Sequence, residues 1–191
     1  MTHSDGSITT GTATRRFDPD RRDRLIDTTL DVIARHGVAG TTHRKIAAAA
    51  DVPVGSVTYH FASLDDLLAA AFTRLAERTA AQYAQDLGAA ASPDEALDVI
   101  SGYILGMLGS PGTLFPSYEL YLMAARRPEL RRITDRWMAR SRAALGRHFD
   151  EQTTVMLDAM IEGLSMHSAL SLEPLPRNLI REALQRVVTP Q

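Results

Sequence analysis

The chain has 191 residues, 45% of them apolar and 23% charged, with a formal net charge of −2. That length can bury a real core, and a charge so near zero excludes nucleic-acid binding through overall basicity. There are no cysteines, which excludes disulfides and thiolate metal sites and fits a reducing cytoplasm, the expected location.

Residues 1–14 are rich in Ser, Thr and Gly and have no apolar centre. They read as a disordered tail rather than a secretory signal. No apolar run approaches the ~20 residues of a membrane-spanning helix, so no membrane partner is expected. Of the 21 basic residues only Lys45 is a lysine. Between Arg15 and His60 basic residues slightly outnumber acidic ones, a weak pointer to phosphate contact.

The first element opens at Asp18-Pro19, an N-cap followed by a proline suited to the first helical position. Leu25, Ile26, Leu30 and Ile33 recur at helical spacing as far as His36, and Gly37 stops the helix. Arg15 and Arg16 form a candidate arm for a phosphate or the minor groove, or simply a solvated helix start.

Thr42 is a natural N-cap for the next helix, whose apolar positions are Ile46, Ala47 and Ala50. Asp51-Val52-Pro53 interrupts the period, because proline lacks an N–H and disfavours helix in the residue before it. Val54 to Phe61 then restarts. Val57 and Phe61, four apart, face inward, leaving Ser56, Thr58, Tyr59 and His60 outward or on the flanks. A face of small hydroxyls, a phenol and an imidazole suits a major groove, and two short helices with a tight turn form a helix-turn-helix. The bland alternative is a packed helical hairpin.

The ordered run Val52 to Leu68, with Gly55, Tyr59-His60-Phe61, Ser63 and Leu67-Leu68, and with Gly37 and Thr41-Thr42 upstream, resembles the signature of the tetracycline-repressor (TetR) family of bacterial transcription regulators. Two positions depart from it. Thr58 stands where an aromatic is frequent, and Leu64 replaces a phosphate-binding lysine. The resemblance implies DNA contact by Thr42, His43, Arg44, Lys45, Val54, Gly55, Ser56, Thr58, Tyr59 and His60. Arg44 is assigned to base or phosphate, Lys45, Tyr59 and His60 to phosphate, and Ser56 and Thr58 to base edges. Lys45 and the arginine arm would compensate for Leu64.

Ser63 and Asp66 form a shortened capping box for a long fourth helix through Leu67, Leu68, Phe72, Leu75, Tyr83 and Leu87. Ser92-Pro93-Asp94-Glu95 opens a fifth, with Leu97, Ile100, Ile104, Met107 and Leu108. Gly109 to Gly112 reads as a loop. Helices are expected over Phe115 to Ala125, Pro128 to about Phe149, Thr153 to about Leu172 and Arg177 to Val188. No strand pattern occurs. The chain is expected to be all-α, with about nine helices. Residues 15–62 would be a helix-turn-helix domain and 63–191 a ligand-binding and dimerisation domain.

Met and aromatic residues cluster in the middle helices, where they serve as core or line an adaptable pocket. The family binds small molecules here, which marks Tyr103, Met107, Phe115, Tyr118, Glu119, Leu122, Trp137, Met160 and His167 as candidate ligand contacts. Glu119 has no basic residue three or four positions away; in a pocket it would favour a cationic or hydroxyl-bearing ligand, and otherwise it is exposed or paired with an arginine of another helix. Two apolar stripes close the chain. Val155, Ala159, Gly163, Met166 and Leu170 form one; Leu179, Ala183, Leu184 and Val187 form the other. Doubled across a two-fold axis they would make a four-helix bundle, as the family implies, and part of each is core. Arg132, Arg136, Arg140 and Arg147 share a side of the seventh helix, as an acidic-ligand site or a solvated face supported by an Arg131–Asp135 pair.

The six histidines show no metal-ligand spacing, and there is neither a glycine-rich phosphate loop nor a nucleophile elbow. No enzyme activity and no cofactor are expected. The expected function is a DNA-binding regulator, more specifically a repressor. Its partners would be an inverted-repeat double-stranded DNA operator, a second copy of the chain and an unidentified small-molecule effector. Control by a protein partner instead of a ligand, or a helical binding domain with a vestigial head, are the alternatives.

Overall fold

The computed structural model describes residues 19–108, 111–173 and 175–188, and among these every regular element is a helix. In chain order they are α1 (Arg21–His36), α2 (His43–Ala49), α3 (Val54–His60), α4 (Leu64–Ala89), α5 (Pro93–Leu108), α6 (Pro111–Arg126), α7 (Pro128–Leu145), α8 (Glu151–Leu170) and α9 (Arg177–Val188). The expected tail, the Arg15-Arg16 arm, Asp18, Gly109-Ser110 and Pro174 lie outside the described residues. So do the side chains at 107, 108 and 111. α1 starts after Asp20, later than Asp18-Pro19 implied. α6 begins at Pro111 where a loop through Gly112 was expected, because proline fits a helix's first turn.

Three apolar cores are stacked along the molecule. The first joins Leu25, Ile26 and Leu30 of α1 to Ile46, Ala47, Val57, Phe61 and the start of α4. The second gathers Ile33 from α1, Leu68, Phe72 and Ala76 from α4, Leu120 and Ala124 from α6, and Ile133 and Trp137 from α7. The third packs Tyr83 and Leu87 of α4 with α5, the end of α7, α8 and α9. Only α4 supplies side chains to all three. Its 26 residues span ~39 Å at 1.5 Å per residue. Any tilt of α4 is therefore felt in every core, because close-packed interiors transmit strain.

Local chemistry sets the ends of the elements. Ser63 Oγ accepts from Asp66 N (3.0 Å), and Ser92 Oγ from Glu95 N (3.2 Å), as N-cap side chains do. Arg74 reaches from α4 to Asp23 and Asp27 of α1, and Arg78 to Asp27. These exposed pairs contribute ~0–1 kcal/mol each and chiefly set the angle between the helices. Arg131 does not use Asp135. Its guanidinium donates to the Ala124 and Ala125 carbonyls (both 3.1 Å), closing the C-terminus of α6.

The turn between α2 and α3 is made by Asp51 rather than Pro53 alone. Asp51 is in the left-handed region, φ 51°. Its N–H bonds the Ala48 carbonyl (3.3 Å), and Val52 N–H bonds the Ala47 carbonyl (3.0 Å). That pair is a Schellman closure, with Val52 folded onto the core. Aspartate tolerates this conformation far better than a β-branched residue. Asp51→Val is expected to destabilise the chain by ~1–2 kcal/mol, while Asp51→Gly is neutral or stabilising. Urea denaturation of the two variants checks this.

Candidate functional site

Val57 is fully buried and Phe61 nearly so. Their burial, at ~1.5–3 kcal/mol per large apolar side chain, fixes the roll of α3. The Arg22 guanidinium lies 4.9 Å over the Phe61 ring and pins the end of the helix to α1. What remains outside is one polar face. Val54, Gly55, Thr58 and Tyr59 are exposed, and Ser56 and His60 half-buried beside them. Tyr59 is 79% exposed, with only an edge contact to the His60 ring at 5.1 Å. A free protein gains nothing from a phenol held in water.

On α2, Thr42 Oγ1 accepts from Lys45 N at 3.3 Å, so Thr42 caps the helix. Arg44 and Lys45 are exposed. Lys45 Nζ folds back to the Gly40 carbonyl at 2.9 Å, within reach of whatever approaches the helix start. His43 is half-buried, with its Nε2 buried and unpartnered, which sets it apart from the open cations beside it. Leu64, in place of the lysine, packs partly buried against the first two cores.

Glu119 is half-buried where α6 meets the head. Its Oε1 accepts from Val38 N at 3.2 Å, tying α6 to the segment after α1. Gly37 makes this possible. Its backbone (φ 65°, ψ 171°) is a conformation essentially restricted to glycine. A Cβ there would stand 2.8 Å from the same carboxylate oxygen. A carboxylate with no helical partner was the visible sign in the sequence; its acceptance of a backbone N–H 81 residues away was not.

The body holds a cleft of about 730 Å³, lined by Arg78, Thr79, Gln82, Asp86 and Ala89 of α4, Val99, Gly102, Tyr103 and Gly106 of α5, and Thr113. Gly102 and Gly106, one turn apart, have open space where a Cβ would stand. Two absent side chains thus create part of the volume. The α4 residues were missed in the sequence because polar positions on a long helix look like a solvated face. A second, narrow chamber of about 20 Å³ lies between Tyr83, Tyr103, Tyr121, Trp137, Met138, Ser141, Asp158, Ile161 and Glu162.

Of the nine candidate ligand contacts, Tyr103 lines both spaces and Trp137 the chamber. Tyr118 has a buried hydroxyl without a partner, and burial pushes its pKa up to about 12. Met160 packs on the third core. Leu122 (63% exposed), Phe115 and His167 are exposed and line neither space. The helical period carries them to the outside of α6 and α8. The Met107 side chain lies outside the described residues.

Val155, Ala159, Gly163, Met166 and Leu170 form an exposed stripe on α8, with Leu170 at 76%, and Leu179 is exposed on α9. Ala183 and Val187 are half-buried. Leu184 is instead fully buried in the subunit's own core. With Ile180 it forms the inward row of α9, one step round the helix from the 179–183–187 row. Arg132, Arg136, Arg140 and Arg147 are exposed, as a solvated face requires.

Residues 25–71 match the domain described as bacterial regulatory proteins, tetR family, and residues 91–190 match the tetracyclin repressor-like C-terminal domain. The HTH-type transcriptional regulator BetI of Paraburkholderia phymatum is 30% identical over 164 residues, covering 81% of this chain and 84% of that one. Among solved structures, SCO7518 of Streptomyces coelicolor A3(2) is 44% identical with a TM-score of 0.82, covering 90% of this chain and 100% of that one. The multidrug binding protein EbrR in complex with ethidium is 35% identical with a TM-score of 0.71, covering 89% and 99%. The uncovered face of α3, a helical body with a cleft and these likenesses agree: the chain is a DNA-binding transcription regulator of the TetR family.

Proposed function

We propose that this regulator is a homodimeric repressor, acting in the cytoplasm, that grips an inverted-repeat operator and releases it when a small molecule occupies the body. Residues 15–62 act as the DNA-reading head and residues 63–191 as the effector and dimer domain. The observation that carries the reading is the outward face of α3. Ser56 and Thr58 offer small hydroxyls for base edges, the Thr58 hydroxyl now donating to the Gly55 carbonyl at 3.3 Å, and Arg44, Lys45, Tyr59 and His60 would hold the flanking phosphates. Gly55 keeps the start of α3 low enough for close approach. Gly55→Ala is expected to fold normally, since nothing lies within 4 Å of the added Cβ. It should gain up to ~1 kcal/mol of helix propensity, yet bind DNA at least ten-fold more weakly. Thermal melting and fluorescence anisotropy, run together, separate the two effects.

One head reads too little sequence to act alone, and the apolar stripe of α8 with Leu179 of α9 supports pairing about a two-fold axis. Met166→Asp would bury one carboxylate from each subunit in that apolar seam. The expected result is a folded monomer by sedimentation and at least ten-fold weaker operator binding at equal subunit concentration. A dimer of unchanged affinity would refute this interface. The 730 Å³ cleft is of the size small-molecule sites occupy, which weighs against control by a protein partner alone. That EbrR is seen with ethidium, proflavin and malachite green supports the same view. Release requires the effector to prefer a head spacing that misfits the operator; equal affinity for both forms would release nothing.

A further inference from the structure

Arg132, Arg136 and Arg140 follow one another at one-turn intervals along α7, all exposed. Exposure alone makes a solvated face. Arg136 and Arg140 differ in where they lie. Both line a groove of about 60 Å³ between α7 and α4, together with Thr73, Ala76 and Glu77 of α4 and Ile133 and Trp137 of α7. Ala76, Ile133 and Trp137 are buried and make its apolar floor. Arg132 does not line it.

The fold does not use these two charges. Arg74, Arg78, Arg127, Arg142 and Arg181 each hold a carboxylate of another element. Among the described residues Arg136 and Arg140 hold none, although Glu77 shares their groove and Asp135 their helix. Arg136 Nε donates to the Arg132 carbonyl at 3.0 Å, which steadies the guanidinium and leaves its terminal nitrogens for a ligand. The α4 wall offers no competing donor, because Thr73 Oγ1 already donates to the Ala69 carbonyl at 2.8 Å.

Charge selects the ligand. Two guanidinium groups and the Glu77 carboxylate leave the groove one net positive charge. A singly charged oxyanion matches it, whereas Glu77 repels the second charge of a phosphate dianion. Volume sets the size. At ~10–15 Å³ for each water-sized group, the groove takes ~4–6 non-hydrogen atoms. We propose that this groove binds a short-chain carboxylate, with Arg136 and Arg140 on the carboxylate and the carbon chain on Ile133 and Trp137. The α4 residues of the groove stand roughly half a turn round the helix from those of the 730 Å³ cleft. The site is therefore separate from the effector cleft and does not depend on that reading.

The chain's one tryptophan, Trp137, reports occupancy from the groove floor. Full-length protein is titrated at constant ionic strength with sodium propionate, with its uncharged analogue propionamide and with inorganic phosphate, by Trp137 fluorescence and by calorimetry. Propionate is expected to saturate and to bind at least ~10-fold more tightly than propionamide, with phosphate weaker than propionate. Arg136→Gln and Arg140→Gln should each weaken propionate at least ~5-fold. Arg132→Gln removes the same charge outside the groove and should change it less than ~2-fold. Glu77→Gln should tighten it. No saturable binding by either readout, or equal binding of propionate and propionamide, overturns the proposal. A loss in Arg132→Gln as large as in Arg136→Gln also overturns it, since a diffuse field would then be the cause. So does propionate binding that survives loss of both groove arginines in a protein of unchanged melting temperature.

Discussion

Tyr59→Ala is expected to leave the melting temperature unchanged within about a degree and to weaken operator binding by 10²–10⁴-fold. The stability half follows from exposure. At 79% exposed, with a single edge contact to His60, the ring contributes little to the fold. Exposed substitutions of this kind fall within about ±0.5 kcal/mol. The binding half follows from symmetry. One lost contact costs ~1–3 kcal/mol, and a dimer loses it in both half-sites. Tyr59→Phe isolates the hydroxyl. If the phenol donates to a phosphate, Phe should lose most of the affinity and keep the salt dependence, because no charge is removed. Lys45→Ala should instead lower the salt slope. An unchanged affinity for Tyr59→Ala would remove α3 from the interface.

Glu119→Ala is expected to keep operator affinity and lose release. In the free chain the Glu119 carboxylate holds the Val38 amide at 3.2 Å, while its neighbour Leu120 is fully buried beside Ile33 of α1. α6 therefore reports to the head in two ways, one polar and one apolar. Removing the carboxylate breaks only the first. Ordinary allosteric coupling of 1–3 kcal/mol, or about 5–150-fold in operator affinity, should fall towards unity. Operator Kd is measured with and without a saturating small molecule that releases the unmodified chain. Gly37→Ala makes an independent check. The backbone there costs a side chain ~1–3 kcal/mol, and the Cβ displaces the same oxygen, so it should lose both stability and coupling. Full release by Glu119→Ala would remove the Glu119–Val38 link from the coupling and leave it to α4 and the Leu120–Ile33 packing.

The two short helices of the head, the Thr42 cap of the first and the inward pair Val57 and Phe61 were legible in the sequence because they depend on spacing within ten residues. The turn was half legible. Proline announced a break, but the left-handed Asp51 that makes it did not stand out, because aspartate is as common in other turn and cap conformations. The body was harder for a physical reason. A cleft is formed by what is missing between helices, here at Gly102 and Gly106, and by polar α4 residues such as Gln82 and Asp86 that read as solvated. Glu119 stands out in the sequence because no basic residue lies three or four positions away, but its bond to the Val38 amide is not legible there, since the two are 81 residues apart. Leu184 and Leu179 are equally apolar in one dimension. Only the packing of α9 decides which is core and which is surface.

The most direct test of an uncovered α3 carried twice per assembly is selection of bound duplexes from random DNA by the purified full-length protein. The expected result is an inverted repeat whose half-site centres lie about one helical turn, or a multiple of it, apart, with preferred bases that change for Thr58→Ala. Recovery of a single unrepeated site, or no enrichment at all, would contradict it.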